Sequence, residues 1–343
     1  MGIVAALKKL VERRDLDAAE AEAAMRQIMA GEATPAQIGA YLVALRMKGE
    51  TATEIAASAR VMRALAEPVA LPREHLIDIV GTGGDGASTF NISTAASFVA
   101  AAAGAYVAKH GNRSVSSKSG SADVLEAAGV NLDLEPAQIA QCVQRLGVGF
   151  MFAPRHHGAM KHALLPRREL GLRTMFNLLG PLTNPAQAPR QLLGVFDRHW
   201  LRPVAEVMRE LGSEHVLVVH AEDGLDEFSI AARTWVVELN AGKISEYSVQ
   251  PEDFGLQRSA LDTLRVHDAG ESLALVRHAL AGVPGPASAI VALNAGAALY
   301  VAGIAADIST GLRRALEVMR QGLATRRFDD FIALTQSFAR SDS

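Results

Sequence analysis

One cysteine in 343 residues leaves no partner for an intrachain disulfide and no basis for a thiolate metal cluster. That residue, Cys142, sits in the helical pattern Pro136-Ala137-Gln138-Ile139-Ala140-Gln141-Cys142-Val143 and reads as a small core residue. Charge of one sign is equally scarce: 34 Lys and Arg against 37 Asp and Glu give a net charge of -3. A general nucleic-acid binder needs a basic face to displace counterions, so none is expected, although a local basic pocket for a small anion stays open. Long apolar runs are missing too. The longest, Ala95 to Ala108, is too short to span a bilayer and contains Gly104. The opening Met1-Gly2-Ile3-Val4-Ala5-Ala6-Leu7-Lys8-Lys9-Leu10 puts its charges after its apolar residues, which is the order of a helix start rather than a secretory leader. A cytoplasmic location and no membrane partner are expected.

What is present is an ordinary globular balance, 49% hydrophobic and 21% charged, in a chain long enough for a large core and two domains. The first 66 or so residues are helical in pattern, with capping boxes at Thr34-Pro35-Ala36-Gln37 and Thr51-Ala52-Thr53-Glu54. Pro68 and Pro72 end that pattern. From Leu76 the pattern becomes strand, turn, helix, repeated. Strands are expected at Leu76–Val80, Ala105–Lys109, Val148–Ala153, Gln191–Asp197 and His215–His220, and helices at Asn91–Ala103, Ser121–Ala128 and His199–Leu211. A hairpin at Trp235–Val249, turning at Asn240–Lys243, adds an antiparallel edge, and helices follow from Gly270. Such alternation gives an α/β fold with a mostly parallel central sheet. Gly158 to Pro189 reads as helix and loop, a return to the helical region. The expected division is a small all-helical domain, residues 1–72 with about 158–189, and a larger α/β domain, residues 73–157 with 190–343.

Gly81-Thr82-Gly83-Gly84-Asp85-Gly86 follows the first strand and satisfies G-x-G-x-x-G. A dinucleotide site would also carry an acidic residue about 20 residues on for the ribose hydroxyl. The second strand ends instead in the basic Lys109-His110-Gly111-Asn112-Arg113, which leaves only the 2′-phosphate of NADP as a variant. The Walker pattern fails because no Lys-Ser or Lys-Thr follows Gly86. The same loops suit another anion. Gly81–Gly86 exposes backbone N–H groups, and Asn91-Ile92-Ser93-Thr94 opens a helix at its positive end. Lys109 to Ser117 carries two cations, a histidine, an amide and three hydroxyls, read as an anion cradle in preference to a solvated loop. Glu222-Asp223-Gly224-Leu225-Asp226-Glu227 follows the fifth strand. Alone it would pass for a surface turn. Beside a polyphosphate, adjacent carboxylates are costly unless a cation joins them, and Mg²⁺ characteristically takes one or two carboxylates plus substrate oxygens.

Together these motifs resemble the anthranilate phosphoribosyltransferases. D-I-V-G-T-G-G-D at Asp78–Asp85, F-N-I-S-T-A at Phe90–Ala95 and K-H-G-N-R at Lys109–Arg113 match that family. So do F-N-L-L-G-P-L-T-N-P at Phe176–Pro185, E-D-G-L-D-E at Glu222–Glu227 and N-A-G-A-A-L-Y at Asn294–Tyr300. The resemblance implies a nucleoside phosphorylase-like fold of the phosphoribosyltransferase class and a homodimer formed through the helical domain. It implies transfer of a phosphoribosyl group from phosphoribosyl pyrophosphate (PRPP) to the amine of anthranilate in tryptophan biosynthesis, assisted by Mg²⁺, two ions per subunit.

Carried over residue by residue, the resemblance assigns Gly81, Gly84, Asp85, Thr89, Asn91, Ile92, Ser93 and Thr94 to the phosphoribosyl donor. It assigns Lys109, His110, Gly111, Asn112, Arg113, Ser114, Val115, Ser116, Ser117 and Ser121 to the same ligand. Gly81, His110, Asn112, His157 and Arg167 would meet anthranilate, and Ser93, Asp226 and Glu227 would hold magnesium. Gly158 departs from the commoner His-Pro form after His157. Lys109 and Arg167 carry the catalytic expectations: Lys109 opposite the leaving pyrophosphate, and Arg167 pairing with the anthranilate carboxylate. A salt bridge to Glu169 is the plainer reading of Arg167. No covalent enzyme intermediate is expected. Pyrimidine-nucleoside phosphorolysis and a non-catalytic, nucleic-acid-binding relative are the alternatives.

Overall fold

The computed structural model describes residues 2–114 and 118–339. Four helices come first: α1 (Ile3–Val11), α2 (Ala18–Ala30), α3 (Pro35–Lys48) and α4 (Ala52–Leu65). Both expected capping boxes form. The Thr34 hydroxyl accepts from Gln37 N–H and the Thr51 hydroxyl from Glu54 N–H, each answered by the reciprocal side-chain bond.

The rest alternates strand and helix: β1 (Leu76–Gly81), α5 (Ile92–Ala102), β2 (Tyr106–Gly111), α6 (Ser121–Ala127), α7 (Pro136–Leu146) and β3 (Val148–Phe152). The chain then leaves the sheet through α8 (Ala153–His156), α9 (Lys161–Leu170) and α10 (Phe176–Leu182). It returns as β4 (Arg190–Gly194), α11 (Leu201–Glu210), β5 (His215–Ala221), β6 (Thr234–Asn240) and β7 (Lys243–Val249). Helices α12 (Ala269–Leu280), α13 (Pro286–Val301), α14 (Ile308–Arg320) and α15 (Leu323–Ala339) follow. The helix expected from His199 begins at Leu201, because a single 3₁₀ turn at Arg198–Trp200 precedes it, capped by the Asp197 carboxylate on His199 N–H.

The seven strands order β3-β2-β1-β4-β5-β6-β7. The first five run parallel, and β6 and β7 are antiparallel additions. Their hairpin turns at Ala241 and Gly242, both at positive φ, as a two-residue turn matched to strand twist requires. Side chains alternate across the sheet and feed two cores. On β5, Leu217 and Val219 join the core under α5 and α13, while Val216 and Val218 join the core of α2, α3 and α4. Helix α11 lies between α4 and the sheet and adds Val204, Val207 and Met208 to that second core. The helical bundle is therefore continuous in packing with one face of β4, β5 and β6. Helices α9 and α10 also lie against it, through Ala163, Phe176 and Leu179.

Candidate functional site

The chain builds β2 and β3 on one side of β1, then crosses to place β4 on the other. In open parallel sheets, ligands bind beyond the strand ends at such a reversal. Here β1 ends in Gly81, paired with Gly194 at the end of β4. The turn after it takes Gly83, Gly84 and Gly86 through positive φ, a path open to glycine without strain.

Asp226 fills the gap between the two strand ends. Its carboxylate accepts from Gly83 N–H at 2.8 Å, and a methyl group on Gly81 would meet its Oδ2 at 2.3 Å. Three acidic groups meet here. Burial, and then the charge of Asp85, push the Asp226 carboxyl up to about 7. Burial, and then Asp226, push Glu227 up to about 8, against the pull of Lys109 and a hydrogen bond with Ser93. Lys109 is buried beside them. Its ammonium donates to Ile79 O at 2.6 Å and to Ser93 Oγ at 3.2 Å. Burial lowers its pKa, opposed by the carboxylates of Asp78, Glu227 and Asp226.

A hard divalent cation fits this donor set. The groups are oxygens, and their mutual repulsion is what a positive ion would relieve. Among the described residues no three His, Cys, Asp or Glu side chains are arranged to enclose a metal on their own. Oxygens from a bound ligand would have to complete the shell, as is usual for Mg²⁺.

The loop after β2 is more internally committed than its composition suggests. Arg113 was expected as a firm cation for the ligand, but its guanidinium is bidentate to Glu126, at 2.5 and 2.8 Å, and lies over the Phe152 ring. Ser114 N–H and Gly120 N–H both donate to the Asp123 carboxylate in the first turn of α6. Gly111 ends β2 against Ser121, whose hydroxyl donates to Asn112 O at 3.3 Å. The Asn112 side chain accepts from Arg113 N–H. Val115, Ser116 and Ser117 lie outside the described residues.

At the start of α5, the Asn91 side chain is already engaged. Its amide oxygen accepts from Ser119 and Ser272 hydroxyls at 2.8 and 2.7 Å, and its NH₂ donates to Ser119 O. That side chain joins Ser119 to Ser272. Ile92 packs into the core, Thr94 has a buried hydroxyl with no hydrogen-bond partner, and Thr89 pairs with Arg265 in an isolated antiparallel bridge. Of the four residues opening α5, Ser93 is the one joined to both Lys109 and Glu227.

His110 and His157 meet where the sheet turns toward the helical segment, with ring centroids 5.1 Å apart. Both are buried, and the Nε2 of each lacks a hydrogen-bond partner. Burial and then neighbouring histidines hold both well below the ordinary range, His157 at about 4, so both rings are neutral near pH 7. Arg167 lies on α9, half-buried, with its guanidinium 5.0 Å from the centre of the Phe176 ring. Its ordinary salt-bridge reading is not what forms: an aromatic face rather than Glu169 backs it.

Three residues that sequence reasoning passed over organise this region. Asp78, fully buried in β1, accepts from His110 N–H, Asn184 Nδ2 at 2.7 Å and Gln191 Nε2 at 3.2 Å, and burial raises its carboxyl to about 6. Asn184 also donates to Ala108 O, tying the loop after α10 to β2. Arg173 leaves the helical segment to donate to Gly84 O while stacking 4.6 Å from the Phe196 ring centre. The signals in the sequence were the acid in the apolar run Leu76-Ile77-Asp78-Ile79-Val80 and the places of Asp78 and Asn184 in the family motifs.

Residues 4–66 match the glycosyl transferase family helical bundle domain and residues 73–325 the a/b domain of the same family. The chain is 60% identical over 336 residues to an anthranilate phosphoribosyltransferase of Alkalilimnicola ehrlichii, covering 98% of this chain and 99% of the relative. It is 58% identical to that of Thioalkalivibrio sulfidiphilus, covering 98% and 100%. Among solved structures it resembles an anthranilate phosphoribosyltransferase from Thermus thermophilus, with TM-score 0.92 and 46% identity over 96% of this chain and 99% of that one. It also resembles that of Saccharomyces cerevisiae in complex with PRPP and Mg, with TM-score 0.89 and 26% identity over 98% of each chain.

Proposed function

The chain belongs to the anthranilate phosphoribosyltransferase family, and from that premise we propose how its residues share the reaction. The enzyme transfers the phosphoribosyl group of PRPP to the amine of anthranilate, giving N-(5-phosphoribosyl)anthranilate and pyrophosphate. The observation that carries the residue assignment is the meeting, at the β1–β4 reversal, of a glycine turn, the buried Lys109 ammonium and the Asp85–Asp226–Glu227 carboxylates.

Breaking the bond from C1 to pyrophosphate leaves positive charge on the sugar ring and negative charge on the departing oxygens. Lys109, held by Ile79 O and Ser93, and the N–H groups of the glycine turn stabilise that negative charge in a buried setting. Mg²⁺ would be held by Ser93, Asp226 and Glu227, and when bound supplies further electrostatic stabilisation of the leaving group. The Asp85–Asp226 and Ser93–Glu227 pairs offer two adjacent sets of oxygens, which supports two ions per subunit. The anthranilate amine is nucleophilic while neutral, so its positioning against C1 is the second large contribution. Arg167 would clamp the carboxylate of anthranilate through two parallel hydrogen bonds, with Phe176 fixing the guanidinium plane. Neutral His110 and His157 line the approach without adding a competing cation. No covalent intermediate is needed.

The reaction belongs to tryptophan biosynthesis on this reading, and the proposed location is the cytoplasm, which cell fractionation tests. The helical domain is proposed as residues 1–72 with about 158–189, and as the surface of a homodimer. Exposed Val4, Met47, Leu164 and Leu165 on α1, α3 and α9 support that surface. Sedimentation of the wild type as a dimer and of Leu164→Asp as a monomer is expected; a monomeric wild type would remove the proposal.

The reaction itself is tested by anthranilate fluorescence. Its loss is expected only when purified protein, PRPP and Mg²⁺ are all present. Unchanged fluorescence with folded protein, or cleavage of a pyrimidine nucleoside by phosphate instead, would overturn the reading.

A further inference from the structure

Helix α13 is apolar along nearly its whole length, and its buried polar residues are Ser288 and Asn294. Asparagine is a poor helix-interior residue, and a fully buried amide is costly unless every group on it is paired. Asn294 is fully buried, and its pairing reaches outside its own helix. Its amide oxygen accepts from Phe228 N–H at 3.0 Å, and its NH₂ donates to Phe228 O at 2.9 Å and to Ile290 O at 2.9 Å. The contact to Ile290 fixes the rotamer on the helix. The two contacts to Phe228 clamp a single peptide residue, the one immediately after Asp226 and Glu227.

The helix that presents the clamp is itself fixed. Gly296 on α13 and Gly311 on α14 lie so close that a methyl group on Gly296 would come within 2.5 Å of Leu312 N. On the other side of the acidic turn, Leu225 O accepts from Ala221 N–H at 2.9 Å. Asp226 and Glu227 are thus strung between a bond to the end of β5 and a two-point clamp from α13.

We propose that Asn294 is a positioning residue that sets where Asp226 and Glu227 present their carboxylates to a divalent cation carried with PRPP. The proposal rests on the reading of those two acids as the metal-binding pair. It gives a physical role to Asn294, a residue of the Asn294–Tyr300 motif to which no substrate contact is assigned.

The test measures Mn²⁺ bound in the presence of PRPP, read from the electron paramagnetic resonance signal of free Mn²⁺, which requires no turnover. Asn294→Leu removes both partners of Phe228 and should weaken Mn²⁺ binding about tenfold, the effect of losing roughly 1.4 kcal/mol of fixed geometry. Ser288→Ala, which removes a buried hydroxyl from the same helix without touching the acidic turn, should stay within about twofold of the parent. Should Asn294→Leu fail to fold, Asn294→Ser keeps one hydroxyl for Phe228 and should still weaken binding severalfold. Glu227→Gln separates the two readings. If it weakens Mn²⁺ binding while the folded Asn294 variant does not, the clamp is structural only and the proposal fails alone. If Glu227→Gln leaves binding unchanged, the metal-pair reading fails and takes the proposal with it.

Discussion

Replacing Gly194 by alanine would place a methyl carbon 1.5 Å from the carbonyl oxygen of Asp226 and 2.4 Å from its carbonyl carbon. Neither Gly194 nor Gly81 lies at positive φ, so alanine at either brings no backbone strain, and the contact alone decides the outcome. At Gly194 the obstacle is backbone. Strand β4 is held there by Thr82 N–H on Gly194 O and by Val195 N–H on Val219 O, both at 2.9 Å. Either that ladder or the acidic turn must give. Overpacking of this kind costs about 3 kcal/mol, the upper part of the usual range. For a 343-residue chain that corresponds to a fall of roughly 4 °C in melting temperature. Alanine at Gly81 meets a side chain instead, Asp226 Oδ2 at 2.3 Å, which can swing aside. It then forfeits the bond from Gly83 N–H, about 1.5–3 kcal/mol for a charged acceptor, and the loss falls on metal and PRPP binding. Differential scanning calorimetry with and without PRPP and Mg²⁺ separates the cases. Gly194→Ala should lower the melting temperature of the free protein, whereas Gly81→Ala should mainly lose the rise that the ligands produce. A Gly194→Ala protein melting within about 2 °C of wild type would refute the close packing of β4 against the acidic turn.

Arg167→Ala should raise KM for anthranilate at least tenfold and leave KM for PRPP nearly unchanged, since removing a charged bidentate bond costs about 1.5–3 kcal/mol; equal loss for both substrates in steady-state kinetics would sink the assignment. The acidic cluster also predicts a pH dependence of stability. Asp226 and Glu227 have folded pKa values near about 7 and about 8, above their ordinary 3.8 and 4.5, so the stability they contribute is present at low pH and lost as pH rises through those values. The depressed histidines act in the opposite sense, below about pH 6.5, which leaves the carboxyls to dominate the window from 6.5 to 8. In EDTA the melting temperature should fall across that window, and the Asp226→Asn/Glu227→Gln double variant should flatten the fall. The same slope in the double variant would place its origin elsewhere.

The local rules of the fold were legible because local chemistry sets them. Thr34 and Thr51 cap helices three residues from their Gln37 and Glu54 partners, and the Ala241-Gly242 turn joins strands that pair residue for residue. The sharing of one core between the bundle and the sheet was not. Val216 and Val218 face α11 and the bundle while Leu217 and Val219 face the other way, and in sequence they form one apolar run. A strand buried on both faces has no polar side to say which residues meet which neighbour. The pairing of Ser88, Thr89 and Phe90 with Leu264, Arg265 and Val266 was equally invisible, since nothing near either segment specifies a partner so far along the chain.

In the site, residue type marked where charge gathers but not which charges are free to act. Lys109 and Arg113 lie four positions apart in one basic run and look interchangeable as anion ligands. Glu126 takes both arms of Arg113, in exposed positions where such a pair adds little stability yet satisfies the guanidinium. Lys109 points inward instead, and two of its ammonium hydrogens are met by neutral oxygens of Ile79 and Ser93. Its countercharges, Asp78, Asp226 and Glu227, come from two different strand ends. An ammonium placed this way is not tied to one dedicated carboxylate, and that leaves it open to attract a polyanion. The feature separating the two cations is partner geometry across more than a hundred residues, from Asp78 to Glu227, and it comes into being only when β1 and β5 are set on either side of β4.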